Sequence, residues 1–458
     1  MSGPEFRQAV VLIHGIGEQR PMDTLRGFAN AILEKRNDEH PKFWSRPDLL
    51  NDTLELRTLT SVQTGNRPRT DYYEYYWAYL MTGTSIRHVL HWLTSLFLRR
   101  PADVPPRLRF LWWASWTLFL AAAVLFVKGI LPAFGHPSPW EALEKKSIAL
   151  SAAVSLTLSF LNFFTLYYIG DAARYLNPEP ENISIRHDIR QEGINLLKKL
   201  HESKLYDRIV VVGHSLGSVI GYDILKYCWA ELSAADRTPA LDARPILREL
   251  EETGAGLHSR PPLATVEEFR KKQNAFWVQE RRAGKPWLVT DFITAGSPLA
   301  HAELLLASGR TDLESRKTER ELPTCPPVGQ REGGLERYSY VASSGDPEAR
   351  LLNHAALFGP TRWTNLYFPG DLVAGPLRPV LGDGIRDICV TRPGFVSSMP
   401  WSHVRYWTRE PGAKPTEAAP EHRRYAVEDL LDALGLNSHD LIAATREKNP
   451  APAGGTPA

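Results

Sequence analysis

The run Arg208–Leu225, RIVVVGHSLGSVIGYDIL, sets Ser215 between Gly213 and Gly217, behind the β-branched stretch Ile209–Val212 and ahead of a helical pattern. That is the spacing of a G-x-S-x-G nucleophile elbow. A side chain on so sharp a strand-to-helix turn is lifted clear of the sheet edge. The turn needs unusual backbone angles, and side chains two residues to either side would collide, so Gly213 and Gly217 stand there. The helix that follows aims its first N–H groups at the same point. The plain alternative is a Gly-Ser turn without chemistry; the strand before it and the helix after it favour the nucleophile. A serine hydroxyl is a weak nucleophile at neutral pH. It needs an imidazole to take its proton and a carboxylate to orient that imidazole.

The surrounding elements must hold such groups together. QAVVLIHGIGEQ reads as a buried strand that breaks at His14-Gly15. In MDTLRGFANAILEKR, Leu25, Phe28, Ala31 and Ile32 recur at helical spacing behind the capping residue Asp23. DTLELRTLTSV and DYYEYYWAYL are strand-like, and IRQEGINLLKKLHESK is helical. WLVTDFITAGSPL, RWTNLYFPGD and GIRDICVTRPG are further strands, each closed by Gly or Pro. Alternating strands and helices predict an α/β fold with a mostly parallel sheet flanked by helices. The expected organisation is a sheet domain formed by residues 1–85 and 176–445, split by a membrane-associated insertion at 86–175. A polar helical insertion follows at 231–285, a long loop at 309–350 and a disordered tail at 446–458.

Phe110–Val127 and Ser147–Gly170 contain no charged residue. At 1.5 Å rise per residue each comes close to spanning a hydrocarbon core of about 30 Å. Trp112, Trp113 and Trp116 at one end, and Tyr167 and Tyr168 at the other, fit an interfacial aromatic belt. A two-helix transmembrane hairpin over about 110–131 and 147–170 is therefore expected. Arg99, Arg100, Arg107, Arg109 and Arg174 flank it, against Lys128, Lys145 and Lys146 in the connection. That bias places the flanks, and with them the catalytic body, in the cytoplasm.

VLIHGIG (11–17), VVVGHSLG (210–217), WTNLYFPGD (363–371) and PWSHVRYW (400–407) together resemble the α/β-hydrolase superfamily, on its lipase and esterase side. The resemblance implies an α/β-hydrolase-type sheet and the chain order serine, acid, histidine. Asp371, after the strand TNLYFPGD, is then the acid, with Asp346 in SSGDPEA as second choice. His403 is the base, the first histidine after IRDICV, with Trp401, Tyr406 and Trp407 available to wall the site. His422 lies beside Arg423 and Arg424, and His354 breaks the order. Two N–H donors must await the developing oxyanion. The resemblance gives these as Leu216, next to the nucleophile, and Ile16, in the loop that Gly15 and Gly17 make tight. His14 then fixes that loop, and His214 lines the pocket or is structural.

The 458 residues carry a net charge of only +2, which gives no argument for a nucleic-acid partner. Cys228, Cys325 and Cys389 are odd in number and lack metal-ligand spacing. No metal, no organic cofactor and no secretory signal are read. The reading is a membrane-anchored serine hydrolase that cleaves carboxylic esters, of lipid or acyl type, or thioesters through an acyl-serine. Its partners would be the lipid bilayer and a small acyl-ester or lipid substrate. Acyl transfer to another acceptor and an inactive scaffold of the same fold stand as alternatives.

Overall fold

Arg7–Ile13 (β1), RQAVVLI, is apolar almost throughout because both faces of the strand are covered. It is the hub of an eight-stranded sheet. In chain order the strands among the described residues are β1, Trp44–Pro47 (β2), Arg57–Ser61 (β3), Arg69–Tyr75 (β4), Arg208–His214 (β5), Val289–Ala295 (β6), Gln330–Glu332 (β7), Leu335–Arg337 (β8), Ser339–Val341 (β9), Arg350–Leu352 (β10), Arg362–Tyr367 (β11) and Arg386–Cys389 (β12). Across the large sheet the order is β12-β11-β6-β5-β1-β4-β3-β2. Every pairing from β12 to β4 is parallel, and β3 and β2 are added antiparallel. The computed structural model describes residues 6–16, 20–33, 42–51, 53–61, 68–81, 180–235, 244–257, 261–341, 350–390, 400–407 and 426–436, with scattered positions between 100 and 176.

Among the described residues the helices of eight or more residues are Asp23–Ile32 (α1), Pro180–Glu202 (α2), Leu216–Ala235 (α3), Arg244–Ala255 (α4), Leu263–Arg282 (α5), Arg310–Thr318 (α6) and Ala426–Ala433 (α7). Leu25, Phe28, Ala29 and Ile32 give α1 one apolar face, and that face is buried. It joins Val10, Val212, Tyr72, Leu430 and Leu434 in one core cluster. Elsewhere in the core α3 packs on β5, β1 and β6, and α5 on β11 and β12. There the rings of Tyr222, Phe292, Phe358 and Trp363 pack against one another, stacked or tilted. Truncating one such aromatic to alanine costs about 3–5 kcal/mol.

The chain divides into two compact units, Met1–Leu80 with His187–Ala458, and Met81–Arg186. In the second unit Trp112 packs edge-on against Trp113 and Trp116. The general α/β architecture is present, but the described residues contain no transmembrane hairpin. Among the described residues no helix is long and apolar enough to cross a membrane. Most of 110–131 and all of 147–170 lie outside the described residues. An uncharged run is a matter of composition, whereas a span needs one unbroken apolar helix of about twenty residues. The long described helices are α2, α3 and α5, of 23, 20 and 20 residues. The first and last are strewn with charge, and α3 carries Asp223, Lys226 and Glu231. The cytoplasmic placement, the two-span topology and the bilayer as partner all rest on the hairpin and are withdrawn with it.

The stretch expected as a long loop at 309–350 instead contains α6, the short antiparallel pair β7–β8 and β9, which pairs with β10 at its end. The tail 446–458 lies outside the described residues.

Candidate active site

β5 ends at His214 and α3 begins at Leu216, leaving Ser215 alone on the corner with φ +51°. A non-glycine residue rarely adopts that left-handed angle. The corner is locked from several sides. Ser215 N–H donates to the Ala295 carbonyl at 3.0 Å, and its own carbonyl accepts from Ser218 N–H at 3.0 Å and Ser218 Oγ–H at 2.6 Å. Ser218 Oγ also shares a hydrogen bond of 2.7 Å with Ser297 Oγ. The two flanking glycines are required by space. A Cβ on Gly213 would lie 2.5 Å from Ser218 Cα, and one on Gly217 2.3 Å from the Ile13 carbonyl oxygen.

His403 bridges the serine to a carboxylate. Its Nε2 lies 2.9 Å from Ser215 Oγ and its Nδ1 2.8 Å from Asp371 Oδ2. An ionised carboxylate only accepts, so Nδ1 carries the proton and Nε2 is left to accept from the serine hydroxyl. Asp371 follows β11, and His403 sits in the short helical turn Pro400–Val404 beyond β12. The three side chains thus come from the carboxyl ends of a parallel sheet, where sites of such sheets gather.

Asp371 is 2% exposed and fully bonded. Oδ1 accepts from the N–H groups of Val373 at 2.9 Å and Ala374 at 3.2 Å, and Oδ2 accepts from His403 and from Tyr406 Oη at 2.8 Å. Burial alone would raise its pKa. The His403 hydrogen bond and charge, then Tyr406 and the Val373 N–H, outweigh it and hold the carboxyl below its ordinary value.

The β1 loop runs against Ser215: a Cβ on Gly15 would lie 2.8 Å from Ser215 Cβ. Ile16 follows in that loop, and Gly17 lies outside the described residues. His14 is buried, with Nδ1–H donating to the Gly15 carbonyl at 2.8 Å and its ring stacked 5.0 Å from Trp77. Burial pushes its pKa down to about 4. Leu216 is the first residue of α3, where a helix N–H has no partner within the helix.

His214 Nε2–H donates to the His403 carbonyl at 3.0 Å, and the two rings stack at 5.2 Å. Burial, with the neighbouring His403 adding to it, pushes its pKa down to about 3, so it stays neutral. Trp407 packs edge-on against it at 4.7 Å. His354 is exposed and outside this constellation, and Asp346 and His422 lie outside the described residues.

Two contributors escaped the sequence reading. Tyr406, which the sequence offers only as a wall of the site, donates to the carboxylate and accepts from Phe368 N–H at 3.1 Å. Gly296, after β6, has φ +65°, and a Cβ there would lie 2.8 Å from Tyr406 Cε2 and 3.2 Å from the His403 ring. Its signal was a glycine closing the strand next to the elbow strand. Among the described residues no cluster of His, Cys, Asp or Glu is set to hold a metal ion.

No family model matches the chain, and no curated protein or solved structure matches it. The likeness to α/β-hydrolases read from four short motifs is therefore not a family assignment. Such motifs are dictated by the local sterics of strand-to-loop and strand-to-helix turns, and they span a small part of the chain. The membrane-anchored hydrolysis expected with that likeness falls with the hairpin.

Proposed function

We propose that this chain is a serine hydrolase of the esterase type, with Ser215 as nucleophile, His403 as general base and acid, and Asp371 as the group that orients and supports the imidazole. The observation that carries the reading is the unbroken hydrogen-bond line from Ser215 Oγ through His403 to Asp371, 2.9 and 2.8 Å long. As Oγ attacks an acyl carbonyl carbon, its proton passes to His403 Nε2. The imidazolium that forms faces a carboxylate already held in its ionised state. The carbonyl oxygen becomes an oxyanion, and the Leu216 and Ile16 N–H groups are the donors assigned to it. Collapse breaks the bond to the leaving oxygen, which takes the proton from His403, and leaves an acyl-serine. Water then gives its proton to His403 and attacks the acyl carbon. The acid departs and Ser215 recovers its proton.

A fluorophosphonate probe tests this reading. The folded protein should gain one phosphonyl adduct on Ser215. Ser215→Ala should gain none, and His403→Ala should be labelled far more slowly. A folded wild-type protein that takes up no label would overturn the proposal.

A further inference from the structure

His403 is held by its main chain as well as by its ring. It lies in the short helical turn Pro400–Val404, outside the large sheet, and its two ring nitrogens are tied to Ser215 and Asp371. A ring gripped only at those atoms still tilts whenever its backbone shifts. His214 grips the backbone: its Nε2 lies 3.0 Å from the His403 carbonyl oxygen. A carbonyl only accepts, so the proton of the His214 ring sits on Nε2.

His214 and Ser215 are consecutive. The base is therefore joined to the β5 corner twice, by its ring to Ser215 and by its carbonyl to His214. The two bonds close a loop that fixes distance and tilt together, where either bond alone fixes distance only. The anchor itself is firm. His214 is the last residue of β5, in register with Ala295 of β6. Its ring stacks on that of His403 at 5.2 Å and meets Trp407 edge-on at 4.7 Å. Trp407 in turn stands edge-on to Phe28, on the buried face of α1, at 5.8 Å. The β1 loop closes in as well: a Cβ on Gly15 would lie 3.2 Å from His214 Nδ1.

The charge of the clamp matters too. Burial, and then the neighbouring His403, keeps the His214 ring neutral. His403 becomes a cation when it takes the serine proton. A cationic donor stacked on it would oppose that step, whereas a neutral one holds the turn without repulsion.

We propose that His214 is a positioning residue for the reaction assigned to Ser215, His403 and Asp371, a neutral clamp on the main chain that sets the tilt of His403 toward the serine. The inference rests on the serine-hydrolase reading. His214→Phe keeps a flat ring and removes the donor. It should lower kcat for a nitrophenyl acyl ester on the order of thirtyfold with KM little changed. His214→Gln, whose neutral amide N–H can reach the same carbonyl, should recover most of that loss. The proton shared between His403 Nδ1 and Asp371 should give a sharp downfield resonance in the wild type and in His214→Gln, and a broadened one in His214→Phe. Ring-nitrogen spectra of the wild-type protein should show His214 as the neutral Nε2–H tautomer at neutral pH. A proton on Nδ1 instead would overturn the clamp, whatever the variants do. So would a folded His214→Phe with wild-type kcat, a raised KM at unchanged kcat, or a His214→Gln as slow as His214→Phe. Phosphonate labelling separates the two readings. A folded wild type that takes no label overturns the hydrolase and the clamp with it, whereas a labelled wild type matched in speed by His214→Phe overturns the clamp alone.

Discussion

Tyr406 Oη donates to Oδ2 of Asp371 at 2.8 Å, the same oxygen that receives the proton-bearing Nδ1 of His403. The Phe368 N–H occupies the tyrosine oxygen at 3.1 Å, which leaves the hydroxyl proton to the carboxylate. One residue thus helps keep Asp371 ionised and holds the oxygen that steers the imidazole. Tyr406→Phe should remove a hydrogen bond to a charged group, worth about 1.5–3 kcal/mol. The folded carboxyl titrates below its unfolded value, so its stabilising contribution is present above an unfolded pKa of about 3.9 and is lost as pH falls through the depressed folded value. The melting temperature of Tyr406→Phe should therefore lie below wild type at neutral pH, with the gap narrowing on acidification. A gap that widens toward low pH would contradict the assigned role.

Gly296 gives His403 its room. With φ +65° and a would-be Cβ 2.8 Å from Tyr406, alanine there is strained and crowded at once. Gly296→Ala should move the imidazole away from Ser215 and lower esterase turnover on the order of a hundredfold. Phosphonate labelling of Ser215 should slow in parallel. Full labelling speed in this variant would show that the contact is not critical.

His14, His201 and His214 predict how the fold responds to acid. Burial, the first cause for each, pushes their pKa values down from 6.5 to about 4, 4 and 3. The unfolded chain binds these protons more readily than the folded one. Stability is therefore whole above the unfolded value near 6.5 and falls as pH is lowered toward the folded values. Each histidine contributes up to about 1.4 kcal/mol per pH unit in that window. His201, whose Nδ1–H donates to the Leu197 carbonyl at 2.7 Å away from the serine, offers the cleanest check. His201→Asn should flatten the dependence of urea-unfolding free energy on pH between 6.5 and 4 by about one proton's worth. An unchanged slope would refute the linkage.

The parts of the site that local sterics dictate were legible in the chain. Ser215 could be read because an elbow demands glycine at 213 and 217, and those positions meet Ser218 and the β1 carbonyls within 2.5 Å of a would-be Cβ. The strands behind Asp371 and His403 announced themselves as short apolar runs ending in Gly or Pro. Tyr406 and Gly296 were not legible in the same way. Their roles arise from contacts between segments far apart in sequence, which no local pattern encodes. The expectation drawn from the apolar stretches 110–131 and 147–170 rested on lack of charge, which records composition alone; among the described residues no helix is long and apolar enough to cross a membrane.

The central claim is that Ser215 and His403 act as one chemical unit, and turnover of a nitrophenyl acyl ester tests it most directly. Ser215→Ala and His403→Ala should each lower turnover on the order of 10⁶-fold, and the double variant should be scarcely slower than either single one. Asp371→Asn should cost less, on the order of 10⁴-fold, because it spoils the tautomer but leaves the nucleophile in place. Losses of Ser215 and His403 that multiply in the double variant, or a Ser215→Ala protein that keeps half the wild-type turnover, would contradict the account.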